Sequence, residues 1–173
     1  MRNQRKMLSE IVYEIKSKQY SPAALKNKIK RGLKEGLDLN IALYRGRTLM
    51  HYAVKANAKG VVRILDQLGV NANICDDDFY TPLHYAIVLN RFQAIKELLK
   101  IPIDINAGGE FEQTPLHLAV TSGNLDIVRL LIEHGADMSL VDEKNQTPLD
   151  YALDEKDEKI IQYLQKIKKG GYK

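Results

Sequence analysis

The chain has 173 residues, 45% of them hydrophobic and 28% charged, with a net charge of +4. That length suits a single soluble domain, and no apolar run approaches the ~18 residues of a membrane-spanning helix. The single cysteine, Cys75, leaves no internal disulfide to form and points to a reducing, cytoplasmic setting. The charge is uneven. Residues 1–47 hold twelve Lys and Arg against four Asp and Glu, while the remainder holds fourteen against eighteen. The basic start, Met1 to Lys6, runs into a charged helical pattern without the apolar core of a secretory signal.

Residues 5–18 are predicted helical, because Met7, Leu8, Ile11, Val12 and Ile15 form one apolar stripe. Ser21-Pro22 supplies a cap and a first helical position for a second helix reaching about Lys34. Leu25, Ile29 and Leu33 give it an apolar face, and Gly36 ends it. Residues 1–47 thus read as a helical cap.

From Thr48 onward the chain repeats. Thr48-Leu49-Met50-His51-Tyr52-Ala53, Thr81-Pro82-Leu83-His84-Tyr85-Ala86, Thr114-Pro115-Leu116-His117-Leu118-Ala119 and Thr147-Pro148-Leu149-Asp150-Tyr151-Ala152 are versions of one motif. A fixed period of this kind marks stacked supersecondary units. The threonine can cap a short helix, the proline suits its first position, and Leu and Ala share one face. A histidine recurring at the fourth position predicts one structural hydrogen bond repeated per unit. The units are 48–80, 81–113, 114–146 and a capping repeat, 147–169.

Each unit continues with a second helix. Asn57 and Asn90 sit between the helices of their units, and asparagine tolerates the left-handed conformation better than most residues. Gly69 and Gly135 end second helices, but Pro102 stands in the equivalent place of its unit. Proline cannot take positive φ, so that exit must be rebuilt. Ile160, Ile161, Leu164 and Ile167 form a last amphipathic helix, and Gly170 to Lys173 is read as a frayed end.

The T-P-L-H-x-A motif and the run Asn124-Leu125-Asp126-Ile127-Val128-Arg129-Leu130-Leu131-Ile132-Glu133-His134-Gly135-Ala136-Asp137 resemble the ankyrin repeat family. The resemblance covers roughly residues 40–165, with a degenerate first repeat before it. It implies an all-α solenoid: two antiparallel helices and a protruding β-hairpin loop per repeat, with degenerate capping units at both ends. It also implies a non-enzymatic protein-binding module, whose partner lies on the hairpin tips and the concave face of the first helices.

Carried over unit by unit, the partner-binding residues are Tyr44, Arg45, Arg47 and Lys55, then Asp77, Asp78, Tyr80, Val88 and Leu89. Glu110, Phe111, Gln113, Thr121 and Ser122 follow, then Glu143 and Lys144. Tyr44, Tyr80 and Phe111 place an aromatic in three successive loops, the residue type that dominates interface hot spots. Phe79 is expected to pack beneath its own hairpin. Charge runs from basic (Arg45, Arg47, Lys55) to acidic (Asp77, Asp78, Glu110, Glu143), a gradient that would orient a bipolar segment.

No catalytic, cofactor-binding or metal-binding residues are assigned. His51, His84 and His117 fall in successive layers, and helices pack ~8–10 Å apart, too far to share one zinc. Cys75 lacks a neighbouring histidine in sequence, and Cys75-Asp76-Asp77-Asp78 lacks the ligand spacing of a calcium loop. The partner expected from the resemblance is a protein, and the chain is expected to act as a monomeric adaptor, inhibitor or microbial effector, the last placing it in a host cytosol. The alternative is electrostatic binding of nucleic acid or anionic membrane through Arg2, Arg5, Lys6, Lys26, Lys28, Lys30 and Arg31.

Overall fold

A computed structural model of the chain describes residues 2–170; Met1, the Arg2 side chain and residues 171–173 lie outside the described residues. The expected frayed end, Gly170 to Lys173, lies outside the described residues except for Gly170. The chain forms two compact units, Met1–Ile103 and Asp104–Lys173.

The first unit contains α1 (Arg2–Ser17), α2 (Pro22–Lys34), α3 (Leu49–Lys55), α4 (Val61–Gln67), α5 (Pro82–Val88) and α6 (Phe92–Leu98). α1 packs on α3 and α3 on α5; α2 packs on α4 and α4 on α6. Two layers of three helices result, with Leu8, Ile11, Ile15, Leu25, Ile29, Leu49, Met50, Leu65, Leu83, Ile87, Ile95 and Leu98 fully buried. Each such side chain contributes about 1.5–3 kcal/mol on burial. The second unit contains α7 (Pro115–Thr121), α8 (Leu125–Glu133), α9 (Pro148–Asp154) and α10 (Glu158–Gly170). Here α7 packs on α9 and α8 on α10 around Leu116, Ile127, Val128, Leu131, Ile160 and Leu164.

The helix ends follow local chemistry. Ser21 Oγ accepts from the Ala24 N–H at 3.1 Å, and Pro22 opens α2. Asn57 and Asn90 take φ of 48° and 51° between paired helices. α2, α4 and α8 close with Gly36, Gly69 and Gly135 at φ 80°, 81° and 91°. The N–H groups of Leu37, Val70 and Ala136 reach back to the carbonyls of Gly32, Leu65 and Leu131, the bond that seals a helix end at a left-handed glycine. α6 has no such residue. Before Pro102 it ends on a bond that spans only three residues, from the Ile101 N–H to the Leu98 carbonyl at 3.1 Å, and the boundary between the two units follows one residue later.

Two expectations change. Leu33 is 37% exposed. The inward position on α2 belongs to Gly32, where an added Cβ would meet Leu37 Cδ2 at 2.7 Å and Met7 Sδ at 2.8 Å. The protruding loops also contain no strand among the described residues. The ends of each tip are joined by a backbone bond: Leu43 N–H to the Arg47 carbonyl at 2.8 Å, Asp76 to Tyr80 at 2.9 Å, Gly109 to Gln113 at 2.9 Å and Asp142 to Gln146 at 3.1 Å.

Candidate protein-binding surface

The tips are anchored to the first helices by the recurring histidine. His51 Nδ1 accepts from the Thr48 N–H at 3.2 Å, and its Nε2–H donates to the Tyr80 carbonyl at 2.9 Å. His117 repeats this with Thr114 at 3.1 Å and Gln146 at 3.0 Å. Both rings are fully buried. Burial pushes their pKa values below the ordinary 6.5, partly offset by the bond to the carbonyl. Each stays neutral at physiological pH, as a ring that accepts at Nδ1 must. In the last unit Asp150 Oδ2 takes the role of Nδ1, accepting from the Thr147 N–H at 2.8 Å and hydroxyl at 2.6 Å. The recurrence is thus a structural bond, as its spacing predicts.

Two tips carry an aspartate at their first position. Asp76 Oδ1 accepts from the N–H groups of Asp78 (3.0 Å) and Tyr80 (3.1 Å); Asp142 Oδ1 accepts from those of Lys144 and Gln146, both at 2.9 Å. The other carboxylate oxygen ties the tip to the one before it. Asp76 Oδ2 meets Arg47 Nε at 3.2 Å, and Arg47 also lies 4.8 Å over the Tyr85 ring. Asp142 Oδ2 accepts from the Tyr151 hydroxyl at 2.7 Å, which in turn accepts from Gln113 Nε2 at 2.6 Å. The Asp142 carboxyl is pushed up by burial, but the bonds from Tyr151, Gln146 and Lys144 outweigh that and leave it below the ordinary range. Backbone bonds from Asp77 N to the Arg45 carbonyl and from Glu143 N to the Phe111 carbonyl join the same neighbours.

These bonds engage several of the predicted residues. Arg47 has a side chain only 12% exposed, held by Asp76 and by Asp78 at 3.6 Å. Arg45 pairs with Asp78 at 2.6 Å. The expected charge gradient is therefore corrected within the first unit: its basic and acidic ends face each other on adjacent tips and neutralise. Gln113 is likewise engaged. Thr121 and Ser122 are exposed, but their hydroxyls donate to the His117 and Ala119 carbonyls. Lys55, Asp77, Glu110, Glu143 and Lys144 are exposed, Val88 is 53% exposed, and Leu89 is half-buried.

The aromatics are also redistributed. Tyr44 is 77% exposed and Phe111 55%. Tyr80 is half-buried and stacks on the His84 ring at 5.8 Å. Phe79 is 66% exposed, so it does not pack beneath its hairpin. The residue that the second tip presents is Phe79, because its left-handed backbone (φ 61°) turns the chain there. The signal lay in the period: Phe79 occupies the place of Gly46 and Asn145 in other tips, where a residue at positive φ stands at the tip's corner.

The family description "Ankyrin repeats (3 copies)" matches residues 21–109 and 103–171. The fold and these tips define a helical repeat protein, and the chain belongs to the ankyrin repeat family. Members of that family are in general protein–protein interaction modules rather than catalysts. A search of curated proteins found no match. α1 precedes the matched region.

Proposed function

We propose that this protein is a non-enzymatic module that holds a segment of a partner protein on its hairpin tips and first helices, acting in the cytoplasm as an adaptor or inhibitor. One observation carries the reading. Phe79 and Phe111 are exposed and stand at φ 61° and 56°. A side chain in this region costs about 1–2 kcal/mol, and glycine fills the Phe79 position at Gly46 without that cost. An exposed aromatic kept at a strained position serves recognition better than folding.

Cys75 does not have the surroundings of an activated nucleophile. Partial burial and the neighbouring Asp76 push its thiol above the ordinary range, the opposite of an activated nucleophile. The test is a pull-down with the intact chain beside a Phe79→Ala/Phe111→Ala variant, at ~0.15 M and ~0.5 M salt with nuclease present. A protein retained at both salts by the intact chain and lost by the variant is the expected result. Equal retention by both would sink the aromatic surface.

A second reading rests on α2, where Lys30, Arg31 and Lys34 are exposed on one stretch with Asn27. Lys28 is neutralised by Glu14 and by Glu10 at 3.8 Å, while Lys26 keeps its charge and donates to Gln67 at 2.7 Å. Binding of nucleic acid or anionic membrane through this face would weaken steeply with salt and ignore the aromatic substitutions.

A further inference from the structure

α1 is 16 residues long, whereas α3 and α5 have seven each. Its extra length carries a further exposed face. Arg5, Ser9, Val12, Tyr13 and Lys16 recur at helical spacing. With Leu43 and Tyr44 of the first tip and Tyr52 of α3 they line an open groove of about 600 Å³. Its floor is apolar: Val12 and Tyr52 are buried. Its walls are two phenols left in solvent, Tyr13 (70% exposed) and Tyr44 (77% exposed). Lys16 Nζ lies 5.0 Å from the centre of the Tyr52 ring, and the Ser9 hydroxyl is spent on the Arg5 carbonyl at 2.8 Å.

The charges of α1 are sorted between its faces. Glu10 and Glu14 turn to Lys28 of α2. The groove is left with two cations, Arg5 and Lys16, and no carboxylate among its lining residues. They stand eleven positions apart, about 16 Å along the helix. An extended chain covers that distance in about five residues. Phosphates of a nucleic acid would call for cations all along the strand, whereas here an apolar stretch separates two charges.

We infer that this groove is a docking site for an acidic segment of a partner protein: an extended stretch with carboxylates about five residues apart and apolar or aromatic side chains between them. It rests on the protein-binding reading and adds the chemistry of what is bound. The outer carboxylates pair with Arg5 and Lys16, and the central side chains lie between Tyr13 and Tyr44 on Val12 and Tyr52.

The experiment is selection of a displayed random-peptide library on the full chain, followed by anisotropy titrations of the selected peptides on variants. Expected are peptides with two acidic residues four to six positions apart around an apolar centre. Their affinity falls about ten-fold or more on Arg5→Glu/Lys16→Glu and several-fold on Tyr13→Ala, but is unchanged on Phe111→Ala. Thermal melts of the variants check that these exposed changes leave the fold intact. Peptides without acidic residues, or peptides that bind Arg5→Glu/Lys16→Glu as well as the intact chain, overturn the inference. So does a short oligothymidylate that displaces the peptides by occupying the groove more tightly. Peptides lost on Phe79→Ala/Phe111→Ala but kept on the charge-reversed variant overturn the groove while leaving the tip surface standing. Failure to enrich any peptide also overturns the groove, and the lysate pull-down then judges the broader reading separately.

Discussion

The first and third tips differ from the second and fourth in how they turn. Asp76 and Asp142 each hold two backbone N–H groups of their own tip, and a single residue, Phe79 or Asn145, then needs positive φ. Leu43 and Gly109 stand in the equivalent places of the other two tips and offer no carboxylate. Those tips turn through two consecutive left-handed residues, Arg45-Gly46 and Phe111-Glu112. The lesson is that one side chain sets the path of four residues. A carboxylate that satisfies the inner N–H groups permits an ordinary turn. Without it the chain falls back on a turn with φ above zero at both corners, which non-glycine residues adopt only at a cost.

Removing the carboxylate should break this difference most visibly. Asp142→Ala and Asp76→Ala each strand two backbone donors and a further partner, Tyr151 or Arg47. A loss of about 2–3 kcal/mol in urea unfolding is expected from each. A loss below about 0.5 kcal/mol would mean that the backbone, not the aspartate, defines these tips. Acid should act in the same direction. The folded pKa values of His51 and His117 lie below 6.5, so the unfolded chain binds the extra protons and stability falls as pH drops below ~6.5. A second loss follows at lower pH as the depressed carboxyls of Asp142 and Asp150 become protonated. Melting temperatures that stay flat from pH 7 to pH 5 would contradict the buried neutral imidazoles.

A smaller effect, of opposite sign, sharpens the comparison. Phe79→Gly and Phe111→Gly relieve a left-handed side chain, so each should stabilise by about 0.5–1 kcal/mol after glycine's entropy is charged, while weakening partner binding. Tyr44→Gly, at a position without positive φ, should give no such gain. If all three behave alike, strain is not what distinguishes the tip phenylalanines. The smallest change is expected from Arg45→Ala, since its pair with Asp78 lies in solvent and such pairs add little. A melting temperature that falls as far as for Arg47→Ala would show that the exposed pair, too, holds the tips together.

By itself the sequence determined the repeat, its period and most helix ends, because these depend on local chemistry. Thr-Pro starts, left-handed Asn and Gly stops, and apolar stripes act within a few residues of where they stand. The missing glycine at Pro102 announced an irregular helix exit for the same reason. Which surface residues are free was decided only by tertiary structure. Arg47, Asp76 and Asp78 are all charged tip residues in the sequence, and nothing local says that they meet across a separation of about one period. Phe79 and Tyr80 are neighbours whose order of exposure depends on one φ angle and on the ring of His84. The groove at α1 joins residues 5–16 to a tip and a helix more than twenty positions away. Burial, pairing and exposure are properties of what the folded chain brings alongside each side chain, and so they appear only once the helices have stacked.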